Sequence, residues 1–240
     1  MRKLFLWLLP LMLYAGAAQA AGFSDWAVLL VAGDDHAHSG ASSQVFDNAR
    51  RDLARAFAGI GFSPQNMVQF SLDPDKDSEE TTIPHIANGL WDLSNRATGG
   101  CLIYFTSHGA YNEGIVTGNA MLAPDTFAKI VNNACGKRPA VIVMSACFSG
   151  QFVPVLEGDN RMVIAAARPD RTSFGCGESD HYTFFDGCFL QSLPTSGNFP
   201  ELADKTKDCV SHQEQALGVD YPSEPQIVVG NAIAPALRWR

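Results

Sequence analysis

The run Ala140-Val141-Ile142-Val143-Met144-Ser145-Ala146-Cys147-Phe148-Ser149-Gly150 constrains this chain more than any other stretch. It is rich in β-branched residues and too short for a buried helix. It therefore predicts a strand covered on both faces, with Cys147 where the strand ends and the chain must bend. Cys101-Leu102-Ile103-Tyr104-Phe105-Thr106 has the same build and runs into Ser107-His108-Gly109. About forty residues and one helical pattern separate the two, which is room for a parallel crossover. In an open parallel sheet, ligands bind outside the carboxyl ends of the strands. His108 and Cys147 are therefore expected at one sheet edge, a thiol nucleophile beside its base.

The remaining pattern alternates in the same way. Ala27-Val28-Leu29-Leu30-Val31-Ala32 reads as the first buried strand, followed by the loop Asp34-Asp35-His36-Ala37-His38-Ser39-Gly40. Over residues 43–60, Phe46, Ala49, Leu53, Ala56, Phe57 and Ile60 recur at helical spacing, with Arg50, Arg51 and Arg55 on the other face. A strand is expected at 66–72, a solvated acidic loop at 73–80, a helix at 82–95, a hairpin at 113–122 and a helix at 124–134. Further on, a strand is expected at 162–167, helices at 182–193 and 201–217, and a last strand at 226–229. This order predicts an α/β domain with helices on both faces of a mainly parallel sheet of about six strands.

Residues 1–20 read as a targeting segment. Arg2 and Lys3 precede an apolar core over 4–14, and Ala18-Gln19-Ala20 forms a small-residue cleavage site. The apolar stretch is shorter than the roughly twenty residues of a membrane span and is interrupted by Pro10. Export to a periplasm or beyond follows as an expectation, with residues 21–240 as one domain and no stable membrane anchor after cleavage. The chain carries a formal charge of −8 and no basic stripe, which argues against nucleic acid and anionic membrane as partners. A peptide or protein substrate is expected, and no cofactor. The sequence leaves the oligomeric state open.

The chemistry follows from the two strand ends. A free thiol is only a few per cent thiolate at neutral pH, so a nearby imidazole raises the usable fraction. Gly109 has no side chain, so its N–H can approach an oxygen bound between the strand ends. With the N–H of Cys147 it would form an oxyanion hole. Acyl transfer through a thioester is the result.

Ile103-Tyr104-Phe105-Thr106-Ser107-His108-Gly109 and Ser145-Ala146-Cys147-Phe148-Ser149-Gly150 resemble the His-Gly and Ala-Cys motifs of legumain-type cysteine peptidases, within the caspase and gingipain clan. Val31-Ala32-Gly33, and Ala165-Ala166-Ala167-Arg168-Pro169 through Ser173-Phe174-Gly175-Cys176, look like the same family. The resemblance implies a caspase-like three-layer αβα sandwich and a His108–Cys147 dyad. It also implies that Asp35 stands where the family has the Asn that orients the catalytic histidine, and that Ser173 and Asp186 shape the pocket for the P1 side chain. The family's basic pocket residue has no counterpart in 39–46, and Phe148 stands where the family carries an acid after the nucleophile. Asparagine at P1 is expected from the resemblance, with Arg or Lys second on the charge of Asp186. Arg168 and Arg171 are candidates to restore a cation.

Other readings remain at this stage. Asp34, His36 and His38 have metal-ligand spacing, which would suit a zinc hydrolase. The fold could also serve a non-catalytic exported binding domain. A thioester can be taken by an amine in place of water, so transamidase activity stays open. His85, His181 and His212 read as surface histidines. Export permits disulfides. Cys101 and Cys135 fall at the amino ends of the two neighbouring strands and are expected to pair. Cys188 and Cys209 form a second candidate bridge, which leaves Cys176 free.

Overall fold

The apolar runs at 26–32, 100–106, 140–145 and 161–165 become strands whose successive side chains point into opposite layers. The computed structural model describes residues 22–240; the expected targeting segment lies outside the described residues. In chain order the elements begin with β1 (Trp26–Ala32), α1 (Val45–Gly59), β2 (Met67–Ser71), β3 (Glu79–Glu80), α2 (Ile83–Arg96) and β4 (Gly100–Thr106). A small hairpin sheet follows, β5 (Gly109–Ala110), β6 (Gly114–Thr117) and β7 (Ala120–Leu122), then α3 (Pro124–Cys135) and β8 (Ala140–Ser145). The chain finishes with α4 (Val153–Leu156), β9 (Arg161–Ala165), α5 (Phe184–Ser192), α6 (Phe199–Ala216) and β10 (Gln226–Val229).

The main sheet has seven strands in the order β10-β9-β8-β4-β1-β2-β3. All its pairings are parallel except β10 on β9. The seventh strand is the short edge pair Glu79–Glu80, where the composition suggested loop. Its backbone pairs with Phe70 and Ser71 while both side chains stay exposed.

Alternation explains the two helical layers. Val28, Leu30, Leu102, Tyr104, Val141 and Val143 face α1, α5 and α6. Leu29, Val31, Ile103, Phe105, Ile142 and Met144 face α2 and α3. Each fully buried aliphatic or aromatic side chain contributes about 1.5–3 kcal/mol, and such positions make up most of β1, β4 and β8. The helices start where caps are available. Thr82 accepts the His85 N–H at α2, Thr183 the Asp186 N–H at α5, and Asn198 the Glu201 N–H at α6.

Arg50 departs from the expected solvent face of α1. It is 1% exposed, and its guanidinium donates to Asp47 at 2.7 Å, Gln69 at 2.8 Å and Asp75 at 3.0 Å. Burial works against the Asp75 carboxylate, but the Asp77 N–H, the Ser78 hydroxyl and Arg50 outweigh it and bring it down to about 2. The acidic loop is thereby tied to the helix. Periodicity alone could not show this, because the partners come from a different element.

Each helical layer carries one disulfide. Cys101 at the start of β4 bonds to Cys135 at the end of α3, with Cα atoms 6.1 Å apart. Cys188 of α5 bonds to Cys209 of α6, with Cα atoms 5.6 Å apart. The first closes 34 residues, for which chain entropy gives roughly 3–4 kcal/mol. Replacing both Cys101 and Cys135 by Ala should lower the unfolding free energy by about 3 kcal/mol in urea titration. An unchanged midpoint would show that the bridge adds nothing.

Candidate active site

The parallel pairing of β4 with β8 runs in register from Cys101↔Ala140 to Thr106↔Ser145. Both chains therefore leave the sheet at the same level. Ser107 N–H donates to Ser145 O at 3.1 Å, which holds the two ends together beyond the strands. His108 and Cys147 follow, and both line one narrow cleft with Phe46, Ser107, Ser145, Ala146, Ser173, Phe174, Cys176 and Thr183.

His108 is held by two contacts. Its ring meets Phe46 edge-on at 5.1 Å. Its Nε2 lies 3.0 Å from the backbone oxygen of His36. A carbonyl only accepts, so Nε2 carries the proton and Nδ1 is left as the acceptor. Asp35 does not perform this task. Its side chain is 43% exposed and pairs with the His36 ring at 2.9 Å. The orienting group comes from the next residue's main chain because the turn after β1 is closed by Asp34. That carboxylate accepts the N–H groups of Asp35 at 2.8 Å and His36 at 3.1 Å, and pairs with His36 Nδ1 at 2.9 Å. Asp34 and the His36 carbonyl are positioning groups that the residue pattern did not reveal.

Cys147 is partly buried. The Ser173 N–H donates to its Sγ at 3.3 Å, and the thiol reaches the Ser173 carbonyl at 3.6 Å. Burial pushes the thiol up, while the bond from Ser173 works the other way. The resting group is therefore a protonated thiol that needs a base. Phe148 adopts the left-handed conformation with φ 57°, a cost of order 1 kcal/mol for a non-glycine residue. Its N–H on Arg171 O at 2.8 Å and the Gln151 side chain on its carbonyl at 3.0 Å fix that bend.

Gly109 is required by close approach. A Cβ there would lie 2.0 Å from the Cys147 carbonyl oxygen. Val116 N–H bonds to His108 O at 2.9 Å, so the alternation of antiparallel bonding turns the Gly109 N–H away from β6. Among the described residues the Cys147 N–H has no hydrogen-bond acceptor.

Asp186 does not line the cleft. Its side chain is 0% exposed, with one oxygen 2.7 Å from the Tyr104 hydroxyl and the other 2.6 Å from Thr106 Oγ1. The cap at Thr183 draws it under the sheet edge instead of into the opening. Burial pushes its carboxyl up, against the hydroxyls of Thr106, Ser145, Tyr104 and Thr183. Burial and Asp186 together push the Tyr104 phenol well above its ordinary value. Arg168 and Arg171 also stay outside the cleft: Arg168 pairs with Asp170 and Glu224, and Arg171 with Asp170 while covering Tyr221.

In the metal reading, Asp34, Asp35 and His36 bring ligand-type atoms within 4.8 Å of one another, but His38 is not among them. The backbone N–H of His38 donates to Cys176 O at 3.1 Å. Cys176, half-buried in the same cleft as Cys147, is the lining residue whose place was least visible in the sequence.

Because burial raises the Asp186 carboxyl, the native state binds that proton more readily than the unfolded chain. Its contribution to stability therefore falls as pH rises from the unfolded carboxylate range, about 4, toward the folded value. Asp186→Asn should flatten that fall in denaturation curves. Asp186→Ala, which orphans two buried hydroxyls, should cost about 3 kcal/mol at any pH. Wild-type stability that rises over the same pH window would refute this account of the carboxyl.

Comparison with known proteins bears on the fold and the family. The chain is similar in fold to caspase-1 from Spodoptera frugiperda, with a TM-score of 0.64 and 12% identity over 88% of each chain. At that identity the likeness concerns the caspase-like fold alone. No curated protein matches the sequence. No helix among the described residues is long and apolar enough to cross a membrane. The family model described as the Peptidase C13 family matches residues 18–206, and the chain accordingly belongs to that family, the legumain family of cysteine peptidases.

Proposed function

We propose that this chain is an exported cysteine endopeptidase that cleaves after asparagine, with Cys147 as nucleophile and His108 as general base and acid. The observation that carries the reading is the shared cleft. A partly buried thiol and an imidazole with a free Nδ1 line one cleft at the carboxyl ends of two neighbouring parallel strands. The two disulfides favour an oxidising compartment, which suits a periplasmic or secreted protein.

In this scheme His108 Nδ1 takes the proton of the Cys147 thiol as sulfur attacks the substrate carbonyl carbon. The oxyanion is received by the N–H groups of Gly109 and Cys147. Collapse of the tetrahedral intermediate breaks the C–N bond, and His108 returns its proton to the leaving amine. Water, deprotonated by His108, then hydrolyses the thioester. An amine in place of water would give transpeptidation by the same steps.

The cleft wall favours a small neutral side chain. Ser107, Ser145, Ser173 and Thr183 offer hydroxyls that both donate and accept, as a carboxamide requires. With Asp186 buried elsewhere and both arginines outside, neither a cationic nor an anionic P1 residue finds a counter-charge, and burying either unpaired costs several kcal/mol. This lowers the rank of Arg and Lys.

Cys147→Ala and His108→Ala should each reduce peptidase activity by at least about a thousandfold, with the double variant little worse than either. Asp35→Ala should change it by less than about threefold, since an exposed pair contributes little. Full activity in Cys147→Ala would sink the thiol mechanism. A fluorogenic library varied at P1 should rank Asn first and other small neutral residues next. A dominant preference for Arg, Lys, Asp or Glu would overturn the neutral-pocket reading.

A further inference from the structure

Six cysteines are present in the chain, and four are consumed by disulfides, one in each helical layer. The other two, Cys147 and Cys176, are free, and both line the same narrow cleft. Cys176 contributes nothing to the proposed acyl transfer. It ends the stretch Arg171–Cys176, which has no helix or strand. That stretch is held to the cleft by the Ser173 N–H on Cys147 Sγ and by the Cys176 carbonyl, which takes the His38 N–H. The second thiol is therefore carried by irregular chain that already touches the first sulfur.

We propose that Cys176 is a resolving thiol: oxidation closes a reversible Cys147–Cys176 disulfide that masks the nucleophile and makes the enzyme dependent on reductant. The chemistry balances with a hydroperoxide as oxidant. The Cys147 thiolate attacks one oxygen of the peroxide and breaks the O–O bond, giving a sulfenic acid and releasing the other oxygen as water from hydrogen peroxide or as an alcohol from an organic hydroperoxide. The Cys176 sulfur then attacks the sulfenic sulfur, forming the S–S bond and releasing water. The two thiols lose two electrons and two protons, and the peroxide takes both. A dithiol reverses the step by exchange through a mixed disulfide. His108 supplies the base that the buried Cys147 thiol lacks. Burial pushes the Cys176 thiol up, and charge on Cys147 pushes it further, as expected for two sulfurs that sense each other across one cleft.

The bond itself needs only the two thiols; its regulatory meaning rests on Cys147 being the nucleophile. The test treats the full chain with hydrogen peroxide under native conditions. Non-reducing peptide mapping should show a Cys147–Cys176 peptide beside the two existing bridges, with a mass loss of two hydrogen atoms. Iodoacetamide labelling of Cys147 should fall by at least about tenfold and return on dithiothreitol. In Cys176→Ser and Cys176→Ala the resolving sulfur is gone. Peroxide should then add oxygen atoms at Cys147, as sulfinic acid, and dithiothreitol should restore little labelling. Recovery in either variant equal to wild type, or sulfinic acid without a crosslink in wild type, overturns the proposal. A crosslink in a chain that cleaves no peptide would uphold the thiol chemistry and reject the peptidase reading instead.

Discussion

The parallel pairing of β4 with β8 is the constraint on which the rest depends. Six residue pairs fix the register, and a slip of one would send every side chain of a strand to the opposite layer. The slip is forbidden because both faces are filled. Ile103 and Ile142 are locked among α2 and α3, and Tyr104 and Val143 among α1, α5 and α6. Register then delivers His108 and Cys147 to one level. The Gly33 N–H on Thr106 O at 2.9 Å ties the end of β1 into the same edge, so the turn that holds His108 arrives there too.

Beneath that edge lies a polar hub that the core must tolerate. Asp186 sits among apolar layers with both oxygens satisfied by Tyr104 and Thr106. A half-satisfied carboxylate at that depth would be strongly destabilising, whereas a filled one fixes α5 against β4. Ser145 and Thr183 border both the hub and the cleft. The charge therefore stays below the floor while neutral hydroxyls form the wall. Pocket polarity and core stability are set by one small group of residues.

The sequence made the order of elements along the chain, both helical layers and the placing of His108 and Cys147 at neighbouring strand ends legible, because each rests on periodicity or on a strand end. Arg50 and Asp186 were misplaced for a common reason. A charged side chain on an amphipathic element reads as solvated or as pocket-lining, and only tertiary partners such as Asp75 or Tyr104 reverse that. The group that orients His108 could not be read at all. It is a main-chain carbonyl, which leaves no residue signature, and Asp35 beside it supplied a misleading one. Cys176 was legible only as the cysteine left over after pairing. Its place in the cleft depends on the irregular chain after β9.

The choice of a carbonyl over a carboxylate behind His108 bears on how the proton moves. A carboxylate at that nitrogen would hold an imidazolium strongly, which favours taking the thiol proton and opposes giving it up. The neutral His36 oxygen orients the ring and sets its tautomer without adding a full charge. The nearest carboxylates, Asp34 and Asp35, spend their charge on the His36 ring and the turn N–H groups. Burial pushes the Cys147 thiol up, so it gives up its proton only to a base held within the same cleft. In acyl transfer the same proton must leave sulfur and then reach the amine, so the ring has to keep one orientation through both transfers. The backbone turn after β1, closed by Asp34, supplies that orientation through the His36 carbonyl.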